Sequence, residues 1–218
     1  LILLGIILIA VRLGLWHVHF DKADKADQKF LEKREAVTGM HCANDRSRWS
    51  TVVALVHYGT FAIDEIDRLR GADGNWGTID KVYHFDSSGT ERFYSSKPPL
   101  YNLLLAAQYW LVNKTTGLHI LERPLTVIKL LTFINQSLLF ITIVILLARV
   151  AKPLLTDNRL YALYLIAIIF GTFLSTFAVT INNHIPAALF SLLTVLQCRK
   201  LTTRPHYSPG YAYVGFYA

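Results

Sequence analysis

Apolar and polar positions are unevenly spread along this chain. An apolar opening, Leu1 to Trp16, gives way to a long polar stretch that closes on Tyr94-Ser95-Ser96-Lys97-Pro98-Pro99-Leu100, and most of the remaining chain is apolar again. Leu1–Val18 reads as a first helix with Arg12 inside it, where an arginine needs a route to the interface or a partner. Segments 124–150 and 160–180 are each long enough to cross a bilayer, which takes about 20 residues. Segment 183–198 qualifies once the helix reaches back to Asn183, because Pro186 is tolerated in a first turn. A further span begins within 210–218. Segment 99–112 is apolar but short of that length, so it predicts a juxtamembrane or re-entrant helix that does not cross.

The polar stretch has periods of its own. Ser47–Tyr58 sets Trp49, Val52, Val53, Leu55 and Val56 at helical spacing with one wet face, and Gly59 stops the run. Asp21–Glu35 is a dense mixture of both charges and predicts a solvated helix. Residues 71–89, rich in Gly, Asp and Ser, predict a loop with short strands at most. Together these elements predict an all-α fold: a polytopic transmembrane helical protein whose large external first loop, 19–123, carries juxtamembrane helices. The chain reads as the N-terminal part of a longer one, since it opens with Leu inside an apolar run and closes on a partial span.

Charge then orients the spans. Thirteen of the fifteen acidic residues lie between Asp21 and Glu91. Arg149, Lys152 and Arg159 cluster in one short loop and Arg199, Lys200 and Arg204 in another, which marks both as cytoplasmic. Asn182-Asn183-His184 and the whole of 19–123 then fall on the outer side. The basic excess, +7 overall, flanks apolar spans instead of coating a polar surface, which excludes nucleic acid as a partner and leaves membrane lipids. Cys42 and Cys198 fall on opposite sides of such a membrane and predict neither a disulfide nor a metal pair.

Few residues are suited to chemistry. Asp45 is flanked by Arg46 and Arg48, a carboxylate able to act as base beside cations able to bind phosphate; capping the following helix is the plainer role for it. Pro98-Pro99 fixes the backbone that carries Lys97, which reads as either a phosphate clamp or an interfacial anchor. Asn182, Asn183 and His184 offer three consecutive polar side chains at an outer edge, more than a turn needs. His41, His57, His84 and His184 are scattered without ligand spacing, so no metal site is assigned, although a divalent metal stays open. The sequons at Asn113 and Asn135 read as chance.

The order of these features resembles the GT-C class of membrane glycosyltransferases that use polyprenyl- or dolichyl-phosphate sugars, notably the protein O-mannosyltransferases and the lipid A aminoarabinose transferases. Asp45 falls at the family's catalytic acid of the first outer loop, with Arg48-Trp49 where Arg-Tyr is usual. Tyr94 and Lys97-Pro98-Pro99 match its aromatic and Lys-Pro-Pro segment, and Asn182-Asn183-His184 occupies its second outer loop. Arg46 stands where the family has Glu, and Asn182 and Asn183 where an acid is common. The resemblance implies a multi-pass enzyme of the bacterial plasma membrane. Asp45 would be its general base, and Arg46, Arg48, Tyr94, Lys97, Asn182, Asn183 and His184 would contact substrate. A polyprenyl-phosphate-linked sugar would be the donor, and a lipid, glycan or protein the acceptor. A transporter or flippase of a lipid-linked substrate is the alternative reading.

Overall fold

The computed structural model describes residues 2–14, 40, 42–69, 76–203 and 208–217. The charged run Asp21–Glu35, His41, Gly74 and Arg204 lie outside them, as does the first helix beyond Gly14. The described residues are mostly helical, and they divide into a polar unit, Leu13–Leu131, and an apolar unit, Leu1–Arg12 with Thr132–Ala218.

The polar unit is built around helix α2, Ala43–Val53, which runs on through a π-helical turn at Ala54–Tyr58. Gly59 ends it in the left-handed conformation, φ 65°, where a side chain would be strained. The expected wet face is absent. Ser47 through Ala54 are all buried, so α2 is the central helix of the unit. Its buried hydroxyls are accommodated because each finds a backbone acceptor. Ser47 Oγ donates to Asp80 O at 2.6 Å, Ser50 Oγ to Trp76 O at 3.3 Å, and Thr51 Oγ1 to Ser47 O at 3.0 Å. The short helix α3, Asp64–Asp67, comes after it, and Asp64 accepts the Phe93 N–H through both oxygens at 3.2 Å.

A two-stranded antiparallel hairpin comes next, β1 Lys81–Phe85 against β2 Glu91–Ser95, with Tyr83 opposite Phe93 and Val82 opposite Tyr94. The loop reading of 71–89 anticipates β1 as a short strand; β2 lies beyond it. Helix α4, Pro99–Thr116, is 18 residues long, a turn longer than its apolar run, because Asn113-Lys114-Thr115-Thr116 continues it to Gly117. Asn102, Leu105, Ala106 and Tyr109 form its buried face, at i, i+3, i+4 and i+7, and it packs on α2. Leu100, Leu103, Leu104, Trp110 and Leu111 are exposed. The core joins Trp49, Val52 and Val53 to Ile63, Ile66, Trp76, Leu105 and Tyr109, all without solvent exposure.

A helix of 28 residues, Pro124–Ala151, begins in the polar unit as α5, Pro124–Thr132, passes a π-helical turn at Phe133–Ser137, and continues in the apolar unit as α6, Leu138–Ala151. At 1.5 Å per residue it is about 42 Å long, enough to cross a bilayer. Among the described residues it is the one helix both long and apolar enough to do so. The expected span over 160–180 is interrupted. Helix α7, Asn158–Phe170, has only 13 residues and ends at Gly171, and a four-residue helix α8, Leu174–Phe177, comes next. The cause is local. A Cβ at position 171 would lie 2.7 Å from the Ala167 carbonyl oxygen, and the Thr172 and Ser175 hydroxyls bond to backbone carbonyls of the preceding turn. Arg12, in helix α1 (Ile2–Gly14), donates to the Ser175 carbonyl at 3.2 Å, so it has a protein partner. Helices α9, His184–Thr203, and α10, Ser208–Tyr217, complete the unit. The 20 residues of α9 suffice for a span in length, but its last turns carry Arg199 and Lys200.

Candidate functional site

In the polar unit, α2, the segment before β1 and the segment after β2 bring charged side chains together. Asp45 is not at the helix cap. The helix starts two residues earlier, with Cys42 as N-cap, which puts Asp45 in the first turn, 5% exposed, where the helix dipole favours a carboxylate. One turn on, Arg48 is 6% exposed and its guanidinium lies 5.5 Å from the centre of the Tyr101 ring. Burial pushes the Arg48 guanidinium down from its ordinary value, while Tyr101, Asp45 and Asp80 pull it back.

Lys97 does not stand alone. Its Nζ lies 2.5 Å from Asp80 Oδ2, and the Ser96 hydroxyl donates to the other oxygen of the same carboxylate. Burial raises the Asp80 carboxyl, but the hydrogen bonds from Lys97 and Ser96 and the charges of Lys97 and Arg48 outweigh it, and the group is held below the usual carboxylate range. The backbone around the pair is fixed. Ser47 Oγ and Ser95 Oγ lie 2.6 Å apart, and Ser95 Oγ accepts the Lys97 N–H at 3.1 Å. Arg46 faces another way, with Nε donating to Gly77 O at 2.8 Å.

The structure therefore brings Asp45, Arg48 and Lys97 into one electrostatic cluster and adds Asp80, to which the sequence assigns no role. Its signal is modest: a lone acid between Ile79 and the Lys81 that opens the strand. Arg46 serves the backbone of the Gly77 segment. Tyr94, across from Val82 and bridged to Ala62, lines a cavity of about 300 Å³ with Tyr58, Asp64 and Arg92.

The second-loop residues belong to the apolar unit. Asn182 is a structural residue. Its amide donates to Phe177 O and Thr180 O at 3.0 and 2.6 Å, and its oxygen accepts the His184 N–H at 2.9 Å, which shapes the turn that starts α9. Asn183 and His184 are exposed, and the His184 ring packs on Phe177 at 4.5 Å. Two residues of the Asn135 sequon hold this loop. Gln136 Nε2 donates to Asn182 O at 2.6 Å and Ser137 Oγ to Ala178 O at 2.8 Å, both from the π-helical turn.

A second polar cluster joins His57, Tyr109 and His119. Tyr109 Oη accepts the Ile120 N–H at 3.0 Å and shares a hydrogen bond with His57 Nε2 at 2.8 Å, while the His57 and His119 rings lie 4.5 Å apart. Burial, and then the neighbouring His119, push the His57 imidazole down. Among the described residues no group of three or more His, Cys, Asp or Glu side chains is placed to hold a metal ion, and Cys42 and Cys198 are exposed free thiols.

Compared with known proteins, the chain matches no family model, no curated protein and no solved structure.

Proposed function

We propose that this chain is the N-terminal part of a polytopic membrane glycosyltransferase that moves a sugar from a polyprenyl-phosphate carrier to an acceptor outside the membrane. The observation that carries the reading is the buried Asp45–Arg48 turn beside the Asp80–Lys97 pair, a carboxylate set among cations in a unit continuous with an apolar helix of spanning length. Asp45 takes the proton from an acceptor hydroxyl, whose oxygen forms the new bond to the anomeric carbon. The bond from that carbon to the phosphate oxygen breaks, and the phosphate leaves with the electron pair. Arg48 and Lys97 stabilise the charge that develops on it, and Asp80 holds Lys97 in position. The exposed apolar face of α4 would lie in the membrane interface, where Trp and Leu are favoured.

A flippase for a lipid-linked substrate is the second reading. The buried polar run Asn135-Gln136-Ser137 within the long helix favours it, since polar groups at membrane depth often line substrate paths. Purified full-length protein in vesicles, given a polyprenyl-phosphate donor labelled in the sugar, separates the two. Transfer cleaves the label from the lipid; flipping moves it across with the phosphate bond intact.

A further inference from the structure

We infer that the outer edge of strand β1 pairs with the same edge of a second copy of this chain, so that two hairpins join into one four-stranded antiparallel sheet. The hairpin has two edges, and the described residues cover only one of them. On β2, Phe93 gives its N–H to Asp64, its carbonyl accepts the Ile63 N–H at 2.8 Å, and Ala62 forms a bridge with Tyr94. Those Phe93 groups point away from β1. Tyr83 stands opposite Phe93, so its own N–H and carbonyl point away from β2, and the two-residue period gives Lys81 and Phe85 the same direction. Among the described residues no backbone hydrogen bond takes up these outward groups.

An unpaired edge is a template for another strand, and proteins usually blunt one with a charge. Here the charge is withdrawn. Lys81 Nζ pairs with the Asp67 carboxylate and lies 4.3 Å from the centre of the Phe93 ring. Val82, Tyr83 and Phe85 are left exposed, with Ile79 exposed just before the strand. The strand's own sequence selects a second copy as the partner. In an antiparallel pair with Val82 on the two-fold axis, Val82 faces Val82, Lys81 faces Tyr83 and Asp80 faces His84, so apolar meets apolar and a carboxylate meets an imidazole. The outward backbone groups of Lys81 and Tyr83 then bond each other on both sides of the axis. Moving the axis one residue either way sets Lys81 against Lys81 or Asp80 against Asp86, like charges that oppose the pairing. The pairing is independent of glycosyl transfer: a protein with another activity would keep it.

The test is disulfide capture in the purified full-length protein, with Cys42 and Cys198 replaced by serine. Single cysteines are placed at Val82, His84 and Ser88, all exposed. Under mild oxidation Val82→Cys should form the covalent dimer about ten-fold faster than either other position, because cysteines on the axis meet disulfide geometry and those off it lie too far apart. Tyr83→Lys, added to Val82→Cys, changes an exposed side chain and sets a lysine opposite Lys81 on both sides of the axis. It should slow capture about ten-fold with an unchanged melting temperature. Tyr83→Pro removes an outward N–H that the hairpin does not use and should slow capture in the same way. No dimer from Val82→Cys, equal capture at all three positions, faster capture at His84, or capture at Val82 untouched by both Tyr83 variants would overturn the assignment.

Discussion

At the scale of single residues, Asp80 decides what Lys97 can do. A lysine aimed by Pro98-Pro99 is legible as a phosphate clamp or an anchor, but the partner that restrains it is contributed from 17 positions earlier and bears no motif. Both side chains are about four-fifths buried, so removing either leaves the other charge poorly compensated. Asp80→Asn and Lys97→Met, singly and together, should show a coupling on the order of 1 kcal/mol in denaturation of the full-length protein. The single Lys97→Met variant should also lose donor binding if Lys97 meets the lipid phosphate. Additive losses with unchanged donor binding would reduce the pair to a surface contact. Trp49 gives a second test. It is fully buried in the centre of α2, and Trp49→Ala should cost about 3–5 kcal/mol, read as a large fall in melting temperature.

At the scale of elements, the His57–Tyr109–His119 cluster ties the π-helical end of α2 to α4 and to the turn before α5. The folded His57 imidazole titrates below its ordinary value of 6.5. The unfolded chain therefore binds more protons in the window beneath that value. The contribution of His57 to stability is present above about pH 6.5 and is lost as pH falls through the lower folded value. Melting temperature followed over mildly acid pH should fall on the acid side, and His57→Asn should flatten the profile. An equal acid slope in the variant would assign the effect elsewhere. The α2 helix and its stop at Gly59 are legible from spacing because Trp49, Val52, Val53 and Val56 repeat at helical intervals. Its burial is not, because Ser47 and Ser50 look wet in a sequence and become dry only when distant carbonyls accept from their hydroxyls. The break of 160–180 is hidden for a related reason. Apolar length cannot register that Gly171, Thr172 and Ser175 redirect the backbone.

At the scale of the whole molecule, the long helix Pro124–Ala151 is plain from composition, while the hydrogen bonds by which Asn182 shapes its own turn are not. The proposed topology rests on the two basic clusters. With Cys42 and Cys198 replaced by serine, single cysteines at the exposed positions Ser88 and Asp157 should label from opposite faces of the membrane; labelling of both from one face would end the topology. The measurement that bears most directly on glycosyl transfer concerns Asp45, in the first turn of α2 beside Arg48. Transfer of labelled sugar from a polyprenyl-phosphate donor should fall roughly a hundred-fold to ten-thousand-fold in full-length Asp45→Asn, with donor binding and melting temperature close to wild type. A variant that folds, binds donor and transfers sugar within a few-fold of the wild-type rate would contradict the assignment of Asp45 as the base.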